Sequence, residues 1–396
     1  MNFKTGIAAA VISALAAAPV TSAEEIKIGV FMGFTGPIES TVAQMAPGAE
    51  LAIKEVSDSG KLLGGAKVKA VRGDTTCIDS AVATATAERL ITSDGVKAIV
   101  GGDCSGVTTA ALKNVAKPNG VVMISPSATS PALSTIEDNG LFFRTALSDA
   151  RQGVVVAEIL KEHGIKSIAI SYTNNDYGKG LADAIDTNFK KMGGKVTINA
   201  PHEDGKGDYT AEVGALAAAG GDMLVVAGYV DQGGRGIVQA AVDTGAFDRF
   251  YFPDGMVAPA LVKNHGADLN GSIGATPGTD SPGASKFSDM AKAAGFTSGP
   301  FSPESYDAAA LILLAMQAAG SSDSGKLKAK VMDVANAPGT KSYPGELSKA
   351  LDIIKGGGDV DYVGASAVEL IGSGESAGNY RQVKYENGKE VVVGFR

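Results

Sequence analysis

Histidine and cysteine are scarce: three histidines and two cysteines in 396 residues. His163, His202 and His265 stand far apart, and none neighbours Cys77 or Cys104. That spacing argues against a zinc site, whose ligands recur at short intervals. Basic residues are also in the minority, 35 Lys and Arg against 43 Asp and Glu, for a formal net charge of −8. Nucleic acids select basic faces, so the acidic balance excludes that class of partner. No apolar run beyond the first 23 residues is long enough to span a bilayer, which takes about 20 residues. Internal repeats, disorder-prone tracts and charge blocks are missing too.

The first 23 residues have the order of a secretory signal. Lys4 is their one charge, a mostly alanine run follows from Ile7 to Ala18, and Pro19 breaks it. Thr21-Ser22-Ala23 then offers small residues for cleavage near Ala23. The expectation is an exported, periplasmic chain. In an oxidising compartment two cysteines pair by default. Closing the loop from Cys77 to Cys104 would contribute roughly 3–4 kcal/mol in the chain-entropy model. Two free thiols, or a metal pair, are the alternatives.

The rest of the chain is too long for one ordinary domain. Short β-branched runs alternate with longer amphipathic ones. Ile26–Phe31, Val68–Asp74, Lys97–Gly101 and Val121–Ser125 read as strands; Pro47–Ser57, Ser80–Thr92 and Val107–Ala116 read as helices. The alternation restarts after Arg144 and runs to Phe252. Two α/β units with doubly wound parallel sheets follow from that order. The tail makes no third unit. It reads as helices from Pro303, Lys326 and Pro344, then a hairpin turned by Asn387-Gly388. Such pieces cannot bury a core alone, so they must pack back onto the two units.

The predicted strand ends are polar. Gly101-Gly-Asp-Cys-Ser-Gly106, Ser125 to Pro131, Ser171 to Gly178, Gly228 to Asp231 and Pro253-Asp-Gly255 each follow a strand. Any one of them could be only a turn or a helix cap. Five at the same sheet ends point to a ligand crevice, because parallel sheets bind there. Enzyme motifs fare worse. Gly374-Glu-Ser-Ala-Gly378 matches a nucleophile elbow, yet no histidine follows it. Gly233-Gly-Arg-Gly236 lacks the dinucleotide spacing, and Tyr177-Gly-Lys-Gly180 lacks the Walker spacing. Asp183 and Asp186 belong to a solvated helix face. The reading is a binding protein, not an enzyme, with no cofactor.

Asp103-Cys-Ser105, Ile124-Ser-Pro-Ser-Ala-Thr129, Asn175-Asp-Tyr-Gly178, Gly228-Tyr229 and Phe252-Pro-Asp-Gly255 together resemble the periplasmic leucine/isoleucine/valine-binding proteins. These are type I solute receptors of ABC importers, and the resemblance runs from Ile26 to the terminal hairpin. It implies two lobes joined by a three-crossing hinge, with crossings near Ala146, Ala275 and Ser373. Lobe 1 would be 24–145 plus 276–373, and lobe 2 would be 146–275 plus 374–396. A small-molecule ligand, a membrane permease partner and a monomeric state are implied with it, as is a Cys77–Cys104 disulfide. In this scheme Ser105 bonds an α-carboxylate, and Thr129 serves both carboxylate and ammonium. The Ser127 carbonyl and Asp254 take the ammonium, Asp254 standing where the family has a glutamate. Tyr177, Tyr229 and Phe301 are walls. Asp103, beside Cys104, and Thr41 replace apolar family positions. Asp103 thus either meets a polar or cationic group of the ligand or caps the helix that follows and faces away. Whether Glu39 enters the pocket is left open. The same scaffold binding an amine-free aromatic acid, or sensing a ligand for a separate signalling partner, are the alternatives.

Overall fold

A computed structural model describes residues 25–396; the expected signal sequence lies outside them. Five strands open the first sheet: β1 (Glu25–Met32), β2 (Lys67–Asp74), β3 (Ala98–Gly101), β4 (Val122–Ser125) and β5 (Phe142–Arg144). They pair in the order 2-1-3-4-5, all parallel. The second sheet repeats that order with β6 (Ser167–Thr173), β7 (Lys195–His202), β8 (Met223–Ala227), β9 (Phe250–Phe252) and β10 (Ile273–Pro277). A small parallel pair follows, β11 (Thr340–Ser342) with β12 (Val360–Tyr362). The tail then splits. β13 (Leu370–Ile371) and β14 (Glu375–Ser376) extend the first sheet, and β15 (Tyr380–Glu386) and β16 (Lys389–Phe395) extend the second. Asn387 and Gly388 both take positive φ, as a tight hairpin turn requires.

Central strands are buried along their whole length, β3, β4 and β8 without exception. That is why they read as continuous apolar runs: helices cover both faces. The helix Ser302–Ala319 is buried nearly all round from Ser302 to Met316. It forms the centre of the first lobe, packed against the helices Glu39–Ser59 and Ser324–Ala335.

Three details depart from the sequence reading. First, the chain leaves the second sheet after Pro277 and the first after Ser376, because β10 pairs with β15 through Pro277 and Glu375 pairs with Arg144. The strands thus run past Ala275 in β10 and lie past Ser373 in β14. Second, the first helix starts at Glu39, not Pro47. Proline removes one internal N–H there. One turn lower, the Gln44 carbonyl accepts from the Ser302 hydroxyl at 2.7 Å, an outside donor no local pattern reveals. Third, Ile273–Pro277 and the helices Pro259–His265 and Pro282–Ala293 were not anticipated. Their Gly, Pro and Ser content masks their period.

Candidate functional site

In a 2-1-3-4-5 sheet the strand order reverses between strands 1 and 3, and loops leaving there part to open a crevice. Both sheets do this, at β1/β3 and at β6/β8, and the two crevices face each other. The enclosed pocket is lined by Ile38, Thr41, Met45, Asp103, Cys104 and Ser105, with Ser127, Tyr177, Tyr229, Asp254, Gly255 and Phe301 closing it. Its empty space, mouth included, is about 390 Å³, at the small end for a ligand site. All of the expected site residues line it except Thr129. Glu39 is exposed and outside it. Ile38, Met45 and Gly255 are additions. Ile38 and Met45 carried no signal, because apolar residues of a helix's first turns look like core.

The first-lobe wall is internally satisfied. Asp103 is 1 % exposed. Its Oδ2 accepts from the Gly33 amide at 2.6 Å and its Oδ1 from the Thr75 hydroxyl at 2.8 Å. One carboxylate thus joins the loops after β1, β2 and β3. Burial still pushes its pKa up, and these donors oppose the rise. Asp103 does not cap the following helix, whose N-cap is Cys104 without a side-chain bond. Its donors come from the protein. Gly33 is required here, since a Cβ would lie 2.9 Å from Asp103 Oδ2. The Cys77–Cys104 disulfide is formed between the loops after β2 and β3, with Cα atoms 5.2 Å apart.

Ser105 is buried, accepts from the Ser130 amide at 3.1 Å and keeps its own proton to donate into the pocket. The Ser127 hydroxyl donates to the Asp103 carbonyl at 3.0 Å. Arg144, 1 % exposed, holds this loop from behind through the Ala128 and Ser130 carbonyls, both at 3.0 Å, and the Ser134 hydroxyl at 2.7 Å. Thr129 lies behind the wall, with its hydroxyl buried and unpartnered.

The second-lobe wall is less complete. Asn175 caps the helix Asp176–Lys191, accepting from the amides of Tyr177 and Gly178 at 3.1 Å. That cap fixes Tyr177, which stacks on Tyr229 with ring centres 5.2 Å apart. The Tyr177 hydroxyl donates to Asp254 Oδ1 at 2.7 Å, and the Gly255 amide donates to the same oxygen at 2.8 Å. A Cβ on Gly255 would sit 2.7 Å from the Tyr177 hydroxyl, so only glycine lets this triad close. Asp254 Oδ2 is buried with no hydrogen bond of ordinary geometry. Burial raises the Asp254 pKa to about 6. A buried acid with an empty oxygen suits a cationic or hydrogen-bond-donating group. At the rim the lobes touch directly: the Asp231 amide donates to the Pro37 carbonyl at 3.0 Å, and the Ser40 amide donates to Asp231 Oδ2 at 2.8 Å.

The sequence profile of the periplasmic binding protein family matches residues 25–345. A Leu/Ile/Val-binding protein homologue of Brucella suis is 32% identical over 305 residues, covering 76% of this chain and 80% of the relative. The chain belongs to the periplasmic binding proteins of the Leu/Ile/Val-binding kind. Among solved structures, a branched-chain amino acid transporter substrate-binding protein of Streptococcus pneumoniae, in complex with isoleucine, superposes with a TM-score of 0.77. It is 22% identical, over 93% of this chain and 99% of that one. An ABC-transporter solute-binding protein of R. palustris in complex with benzoate superposes with a TM-score of 0.74. It is 17% identical, over 94% and 96% of the two chains. These last two establish the fold. The family consists of periplasmic solute-binding proteins, not enzymes. Among the described residues no group of three or more His, Cys, Asp or Glu is placed to hold a metal, and no helix is long and apolar enough to cross a membrane.

Proposed function

We propose that this periplasmic binding protein captures an amino acid, or a closely related small molecule bearing an amine, and delivers it to an importer's permease. The observation that carries the reading is the empty oxygen of Asp254. Asp254 lines a pocket whose opposite wall offers the Ser105 hydroxyl. An ammonium on Asp254 and a carboxylate on Ser105 would engage both lobes at once. A ligand that contacts both lobes only when they meet favours closure by that difference. Micromolar affinity needs about 8 kcal/mol, within reach of a few charge-assisted hydrogen bonds in a dry site. The side chain would lie against Ile38, Met45 and Phe301, with the Thr41 hydroxyl as the polar contact. Asp103, whose oxygens already hold protein donors, is a weaker argument for a cationic side chain than its position suggests.

The benzoate-bound relative supports a second reading, an aromatic acid without an amine. Its carboxylate would meet a protonated Asp254. Thermal-shift and calorimetric titration with the twenty L-amino acids, benzoate and 4-hydroxybenzoate separates the two, since a ligand that binds only the folded state raises apparent stability. An amino acid that raises Tm in the wild type, and fails to bind Asp254→Ala, supports the first reading. Benzoate bound equally by wild type and Asp254→Ala, with no amino acid bound, replaces it with the second.

A further inference from the structure

Phe301 lines a second cavity besides the ligand pocket. This one adjoins the crossing after β10, at Pro277, and has about 740 Å³ of empty space, mouth included. Glu304 reaches it from the first lobe, in the opening turn of the helix Ser302–Ala319. Arg381 of β15 reaches it from the second lobe. Glu304 is 2 % exposed, and its Oε2 has no hydrogen-bond partner. Asp307, one turn on, is as deeply buried, yet it accepts from the Tyr362 hydroxyl, the amides of Ala365 and Ser366 and the Ser366 hydroxyl. Two acids share one helix, and the fold completes the second but not the first.

Buried polar groups are nearly always paired, so an orphaned carboxyl oxygen on a cavity wall points to a partner from outside the chain. Burial pushes the Glu304 pKa up to about 8; Asp307 adds to the rise, and Arg381 opposes it. Glu304 and Arg381 are the charged residues lining the cavity. Arg381 pairs with Glu390 at 3.4 Å, not with Glu304. A guanidinium has five N–H donors, and the contact with Glu390 uses one of them. Opposite charges thus stand on the two lobes, across one cavity, without meeting. Val392 and Phe395 line the same cavity and are large apolar side chains left exposed to solvent. An apolar chain lying over them would cover surface that the fold leaves wet.

We propose that this cavity is a second small-molecule site, for an ω-amino acid: a molecule with an ammonium at one end and a carboxylate at the other. The ammonium sits on Glu304, the carboxylate on Arg381, and the methylene chain against Val392 and Phe395. Charges at opposite ends of the molecule match charges on opposite walls, and both contacts are charge-assisted. The site is separate from the Asp254 pocket and stands whichever ligand that pocket takes. Its occupant bridges the lobes beside a crossing, so its binding and lobe closure bias each other.

The test is calorimetry of the full-length mature chain at about pH 9, above the Glu304 titration and below that of an alkylamine. The probes are β-alanine, γ-aminobutyrate and δ-aminovalerate, with butyrate and butylamine as single-charge controls. At least one of the three zwitterions should bind the wild type, and E304Q and R381Q should each weaken it about tenfold or more. Butyrate and butylamine should bind more weakly by a similar factor. Binding that D254A removes and E304Q spares belongs to the Asp254 pocket and overturns the proposal. So does butyrate binding as tightly as the zwitterions, and so does a failure of all three to bind, which leaves the Glu304 oxygen to water. Should E304Q or R381Q not fold, a crystal structure of the wild type with the tightest probe decides. Density joining Glu304 to Arg381 upholds the site, and water alone between them overturns it.

Discussion

Asp103 and Asp254 stand on opposite walls of one pocket, both almost fully buried and both raised in pKa by that burial. They differ in what the protein gives them. Asp103 has a donor on each oxygen, Gly33 and Thr75, each from another strand's loop. Asp254 has two donors on one oxygen and none on the other. A buried carboxylate costs free energy unless it is hydrogen-bonded. Where the fold supplies every partner, the acid is a structural tie. Where it withholds one, an oxygen is left for an incoming donor, the role proposed for Asp254. Position in the pocket wall does not distinguish the two; the partner count does.

The comparison is broken or sharpened by substituting each side. Removing Asp254 should have the largest effect: Asp254→Ala is expected to weaken an amine-bearing ligand by about 2–5 kcal/mol, roughly thirtyfold to several thousandfold, with little loss of stability. Calorimetry and a denaturation curve on one preparation check both halves. On the first-lobe side, Cys77→Ser with Cys104→Ser should lower unfolding free energy by about 3 kcal/mol, since the bond closes a loop of 27-residue separation. Chemical denaturation measures it. Asp103→Asn should cost about 1–2 kcal/mol of stability, because the amide must turn an N–H toward either the Gly33 or the Thr75 donor. A variant that keeps its denaturation midpoint but loses ligand as Asp254→Ala does would make Asp103 a ligand contact and erase the distinction.

Much of this was legible in the sequence, and the limits are physical. The strand–helix alternation and its restart after Arg144 follow from local periodicity, and so do the polar strand ends. The disulfide followed from compartment and resemblance, and the Asn387-Gly388 turn from the φ > 0 that type I′ demands. What stayed hidden depends on contacts distant in sequence. Helix 39–59 runs through Pro47 beside a contact from Ser302, far along the chain. Arg144 is buried because four groups from the loop after β4 and from β14 hold its guanidinium.

The smallest expected effect lies at the rim, where the comparison extends from side chains to lobes. Asp231 reaches from the loop after β8 to the first turn of the helix Glu39–Ser59, accepting from the Ser40 amide. That helix has no cap of its own, as Ile38 offers no side-chain bond. Asp231 therefore caps it from the other lobe, and an acid is favoured there by the helix dipole as well. The cap exists only while the lobes meet, so its free energy belongs to closure and not to folding. Asp231→Ala is expected to lose about 1 kcal/mol, near fivefold in Kd for whichever probe binds, with an unchanged Tm in its absence. Asp231→Asn, which can also cap, should recover most of it. The backbone bond from Asp231 to the Pro37 carbonyl survives both substitutions. An equal loss in the two variants would assign the effect to charge across the rim, and a lowered ligand-free Tm would move Asp231 to the side of Asp103, a tie of the fold.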